Sequence, residues 1–191
     1  MNMISGYSLV AIMAGWLLPV TALYAGTASQ DVKFTATFIQ GSCDITAPSS
    51  VAFNNGASVM RDSIAEGKES VNITLNLSNC NGYFLAPKIS VSGTTVDIQS
   101  KKYFMDSSST TKGYGVLLST LGNAAWSANS NLAQNKVINA KSWPKEGTEQ
   151  VTTLNGNLAL TAKLECGSCT AGPNLHGGDF KSTVTFTFNY Y

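Results

Sequence analysis

Val184-Thr185-Phe186-Thr187-Phe188-Asn189-Tyr190-Tyr191 ends the sequence, and its alternation decides how the rest is read. In a strand, successive side chains point to opposite faces. Val184, Phe186, Phe188 and Tyr190 therefore share one apolar face, while Thr185, Thr187, Asn189 and Tyr191 share the other. A terminus usually frays into solvent; this one is patterned to sit in a sheet with its face covered and its edges paired. A second segment of the same kind, Val32-Lys33-Phe34-Thr35-Ala36-Thr37-Phe38, lies near the start. Two terminal strands with strong apolar faces point to assembly through the ends.

The interior repeats the period. Val71-Asn72-Ile73-Thr74-Leu75-Asn76-Leu77-Ser78 alternates cleanly, as do Lys88-Ile89-Ser90-Val91-Ser92 and Leu158-Ala159-Leu160-Thr161-Ala162-Lys163-Leu164-Glu165-Cys166. The last of these places Cys166 on the apolar face. Tyr114-Gly115-Val116-Leu117-Leu118 is shorter and less regular. Gly-, Asn- and Ser-rich stretches at 106–113 and 122–131 read as surface loops. No segment sustains a helical period, and residues 129–136 suit a turn or two of helix at most. Short half-buried strands with frequent turns predict an all-β sandwich.

Charged residues make up only 12% of the chain. No basic stretch is dense enough for a phosphate-binding footprint, which excludes nucleic acid as a partner. The first charged side chain is Asp31. Before it runs an apolar stretch centred on Leu9-Val10-Ala11-Ile12-Met13-Ala14-Gly15-Trp16-Leu17-Leu18, followed by Pro19 and small residues. This predicts a secretory signal over residues 1–25, with cleavage anywhere from 22 to 28. The run lacks a preceding Lys or Arg. Pro19 and the short apolar span count against a membrane anchor, which needs roughly 20 apolar residues. An extension at 26–40 and one domain at 41–191 follow.

All four cysteines, Cys43, Cys80, Cys166 and Cys169, lie in the part expected to be exported, where disulfides persist. Four cysteines allow three pairings, and the sequence alone does not choose among them. Cys166-Gly167-Ser168-Cys169 can close on itself through its turn. That would leave Cys43 to Cys80, a loop worth about 3–4 kcal/mol in the chain-entropy treatment.

Catalytic arrangements are absent, and no enzyme, cofactor or metal is expected. His176 is the single histidine, in a loop by composition. The Cys166-x-x-Cys169 spacing follows a β-pattern rather than opening a helix, which favours a structural clip over a redox motif. The two terminal strands also have a plainer reading, as core strands of a self-sufficient sandwich. A secreted lectin-like binding module would have that property, with Tyr83, Phe84, Tyr103, Phe104, Trp126 and Trp143 as a stacking surface.

Taken together, the residues resemble the pilin subunits of chaperone–usher fimbriae, the type 1 and P pili of Gram-negative bacteria. Four features carry the resemblance. An export signal precedes the alternating Val32, Phe34, Ala36 and Phe38, which lead into Gly41-Ser42-Cys43. Cys80 closes an alternating strand at the spacing the family uses. Gly178 stands fourteenth from the end. Tyr190 is penultimate, after Val184, Phe186 and Phe188. Two departures stand out: the family usually has Gly where this chain has Ala36, and the Cys166–Cys169 pair is not a general family feature.

The resemblance implies an incomplete immunoglobulin-like sandwich that lacks its C-terminal strand and is completed by a donor strand in trans. Val32, Phe34, Ala36 and Phe38 would form the donor strand. Val184, Phe186, Phe188 and Tyr190 would belong to the strand bordering the acceptor groove, with Gly178 permitting a turn or close approach before it. The implied partners are a periplasmic chaperone, an outer-membrane usher and neighbouring pilin subunits in a head-to-tail fibre at the cell surface, serving adhesion. Three or four large side chains, each worth roughly 1.5–3 kcal/mol when buried, approach the whole stability of a domain, about 5–15 kcal/mol. A chain deprived of such a strand would be marginal.

Overall fold

Alternating Leu and Ile positions along 70–82 and 156–165 give two long strands that bury one face and hydrate the other, and the sheet is built around them. The computed structural model describes residues 33, 35, 36, 41–82, 86–141 and 151–190. The expected export signal lies outside the described residues, as do Val32, Phe34 and Phe38. The chain divides into two compact units, Met1–Thr37 and Phe38–Tyr191. In the first, Lys33, Thr35 and Ala36 are exposed and belong to no strand.

The second unit contains strands β1 (Gly41–Thr46), β2 (Ser70–Gly82), β3 (Lys88–Ser92), β4 (Thr95–Ile98), β5 (Lys101–Phe104), β6 (Gly115–Ser119), β7 (Val137–Asn139), β8 (Gly156–Glu165) and β9 (Thr185–Asn189). Two short helices, α1 (Arg61–Ala65) and α2 (Leu132–Asn135), sit in the connections. The strands form a six-stranded sheet, β1-β2-β8-β6-β5-β4, and a three-stranded sheet, β7-β3-β9. Every pairing is antiparallel. The all-β sandwich expected from the sequence is the fold observed.

The register explains the core. Ile73 faces Leu160 and Leu75 faces Leu158 across β2 and β8. Leu75, Leu77, Leu158, Leu160, Ala162 and Leu164 are all buried, joined by Ile89, Val91 and Ile138 from the second sheet. Cys43 and Cys80 are disulfide-bonded between β1 and β2, beside a register shift at Ser42 and Asp44. Cys166 and Cys169 close on each other at the end of β8. Asn131 caps α2, its side chain accepting from Gln134 N at 3.0 Å.

Three of the aromatics that would have offered a stacking surface are interior instead. Tyr103, Phe104 and Trp126 are at most 2% exposed; Tyr83, Phe84 and Trp143 lie outside the described residues. Gly115 makes room for Tyr103, since a Cβ there would come within 2.4 Å of the Tyr103 Cβ. The Tyr103 hydroxyl donates to Glu165 Oε2 at 3.1 Å. Burial first, then this hydrogen bond and the carboxylate charge, push the phenol up to about 12 from 10.0. A raised acid pKa means that the fold favours the neutral phenol. Its contribution is complete below pH 10 and is lost as pH rises through about 12. Urea titrations from pH 9 to 12 should show wild type losing stability faster than Tyr103→Phe over that window; parallel curves would refute the coupling.

Candidate functional site

β9 pairs with β3, and among the described residues no strand is hydrogen-bonded to its other edge. The register sets Val91 opposite Phe186 and Ile89 opposite Phe188, so each pair shares a face. Burial differs sharply within these pairs. Ile89 and Val91 are at most 1% exposed, whereas Phe186 and Phe188 are only partly buried. Two neighbouring strands of one sheet thus turn equivalent apolar faces inward, one of them fully covered and the other only in part. An edge of that kind is open to pairing with another chain.

A groove of about 880 Å³ runs beside β9. Ile73, Val116, Leu118, Ala162 and Leu164 contribute from the six-stranded sheet. Phe53 and Val59 contribute from the connection after β1, and Val184 and Phe186 from the last strand and the residue before it. Most of these are core side chains or side chains packed against the core. Apolar side chains of the core thus floor the groove.

The segment leading into β9 is held by a loop. Asp106 N donates to Lys181 O at 2.8 Å and Thr110 N to Asp179 O at 2.8 Å. In return, Thr183 N and Oγ1 donate to the two carboxylate oxygens of Asp106 at 2.9 and 2.7 Å. Lys181 N donates to Ser109 Oγ at 3.0 Å. Gly178 is needed where the two segments cross, because a Cβ there would stand 2.6 Å from Thr110 Oγ1 and 2.9 Å from the Thr110 carbonyl carbon. The loop fixes the direction in which the chain enters β9 and so the shape of this end of the groove.

Among the residues singled out in the sequence, Gly178, Val184 and Phe186 line the groove. Phe188 instead packs edge-on against Trp126, with ring centroids 6.5 Å apart. Tyr190 is 36% exposed and lies 6.3 Å from the Phe188 ring. Of the donor candidates, only Ala36 is described. His176 is exposed and bridges to Lys112. Among the described residues there is no cluster of three or more His, Cys, Asp or Glu able to hold a metal, and no helix is long and apolar enough to cross a membrane.

Sequence reasoning missed the wall formed by residues 47–59 and the role of Asp106. Asp106 offered one faint signal, a lone carboxylate ahead of a Ser/Thr run, which gave no hint of its distant partner Thr183.

Fold and site together define an antiparallel β-sandwich with an apolar groove along its last strand. Among solved structures, the chain is similar to the P pilus rod subunit PapA, with 15% identity and a TM-score of 0.47 over 84% of this chain and all of that one. It is also similar to a chain from a structure of a chaperone–usher pilus, with 16% identity and a TM-score of 0.43 over 87% of this chain and 98% of that one. At these identities the likeness concerns the fold alone. No family model matches the sequence, and neither does any curated protein.

Proposed function

We propose that this protein is a structural, non-enzymatic subunit of a chaperone–usher fimbria that polymerises by donor-strand exchange and contributes to bacterial surface adhesion. One observation carries the reading: Phe186 is incompletely covered while its register partner Val91 is sealed, along a strand edge with a groove beside it. Backbone groups on that edge would hydrogen-bond an added strand, and alternate side chains of that strand would fill the gap. The segment bearing Val32, Phe34, Ala36 and Phe38 from a neighbouring subunit is the proposed occupant in the fibre. A periplasmic chaperone strand would hold the place before the usher directs the exchange. Such an interface is head-to-tail and does not close, so it extends into a fibre. The two disulfides agree with the oxidising export route this requires.

The test is removal of residues 30–39. The shortened protein should still co-purify with the chaperone and still accept a strand, yet give no fibres on its own by electron microscopy. Fibres of normal abundance and length from the shortened protein would reject the donor assignment.

A further inference from the structure

Asn-Gly occurs three times in the chain, at 55–56, 81–82 and 155–156, and the fold holds the three differently. Asn81 and Gly82 lie in β2, paired with Ser42 and Gly41 of β1. Asn155 accepts from Cys80 N on its Oδ1 at 3.0 Å, and Gly156 is paired with Leu77. Asn55 is exposed and lies in no strand, and among the described residues its side chain has no hydrogen-bond partner. It sits in a turn where Asn54, Asn55 and Gly56 adopt φ of 46°, 52° and 84°. A Cβ on Gly56 would meet nothing within 4 Å, so the backbone there is uncrowded.

An asparagine followed by glycine carries both partners of a ring closure, and glycine has no side chain to obstruct it. We propose that Asn55 is a site of intramolecular deamidation in the groove wall. Gly56 N, having lost its proton, bonds to Asn55 Cγ; the Cγ–Nδ2 bond breaks, and Nδ2 leaves as ammonia after taking up a proton. Water then opens the five-membered imide. Attack at Cγ gives aspartate; attack at the main-chain carbonyl gives isoaspartate, in which the chain runs through Cγ and gains one methylene. Closure needs rotation about ψ of Asn55, 28° at rest. The bonds resisting it lie within the turn itself, from Ala57 N to Asn54 O and from Asn54 Nδ2 to Ser58 O, both at 2.9 Å. Either product sets a carboxylate beside Phe53, Gly56 and Ala57, which line the groove. Within 47–59 only Phe53 and Val59 are partly buried, and among the described residues no backbone hydrogen bond ties this wall to another element. A longer main chain at residue 55 therefore shifts the wall. Resting on the donor-strand reading, the consequence is a subunit that loses strand acceptance the longer its groove stays empty.

The test follows the purified mature chain, kept warm over days, by digestion and mass spectrometry. Asn55 should convert about tenfold or more faster than Asn81 or Asn155, which must first be released from the ladder or from Cys80 N. Its rate should rise with pH, because the reaction begins with loss of the Gly56 amide proton. Asn55→Gln, which would need a slower six-membered closure, should show no conversion at that position. Conversion at Asn55 no faster than at the other two overturns the site. Fresh and aged chains are then given a labelled synthetic peptide of residues 30–40. Aged wild type should take up less peptide in proportion to its converted fraction, and aged Asn55→Gln as much as when fresh. Uptake independent of conversion overturns the effect on the groove. Fresh chain that takes up no peptide overturns the donor-strand reading instead and leaves the modification site standing.

Discussion

With Val184→Asp and Phe186→Asp together, the protein is expected to cap fibres instead of extending them. Both side chains line the groove beside β9. In the unfilled protein both are only partly buried, so aspartates there can stay hydrated and the domain can fold. Seating a strand over them would strip that water. Burying even two partly screened carboxylates costs about 4 kcal/mol or more, roughly a thousandfold in occupancy. The donor segment at 30–39 is untouched, so the variant can still enter a neighbour's groove. Mixed with wild type, it should shorten fibres in proportion to its fraction, as counted by electron microscopy. Mixed with the protein lacking residues 30–39, it should give a one-to-one pair and nothing longer. Fibre lengths unchanged by an equal mixture would show that the groove is not the acceptor.

The second large effect separates the two disulfides. Cys43–Cys80 closes a separation of 37 residues and joins β1 to β2, whereas Cys166–Cys169 closes a separation of 3. The entropy removed from the unfolded chain scales with the logarithm of loop length, giving about 3–4 kcal/mol for the long loop and under about 2 kcal/mol for the short one. Cys43→Ser with Cys80→Ser should therefore lower the urea midpoint far more than Cys166→Ser with Cys169→Ser. The long bond also anchors β1, next to the 47–59 wall of the groove, so its loss should impair strand acceptance as well. Equal midpoint shifts for the two pairs would contradict the loop-length argument.

The strands visible in the sequence are those whose alternation is uninterrupted. β2, β3 and β8 have one buried and one more exposed face, and β9 has one partly buried face, so period two survives in the residue types. The β4–β5 hairpin was hidden because its turn breaks the usual rule. Gln99 and Ser100 adopt φ of 49° and 66°, a conformation normally announced by Asn-Gly or Asp-Gly. β7 has only three residues, too few to establish a period. The groove was legible on one wall only. Val184 and Phe186 could be read from the final strand, but the wall at 47–59 and the Asp106–Thr183 contact depend on chain segments brought together from afar. Local pattern carries no trace of such pairings.

Because β9 is hydrogen-bonded to a strand on one side only among the described residues, the proposed reading places part of the folding free energy in a second molecule. Mass action then enters every melting curve, with the midpoint climbing as the logarithm of the concentration of strands available to fill the gap. A Tm quoted for this protein without a subunit concentration is a property of the solution, not of the polypeptide.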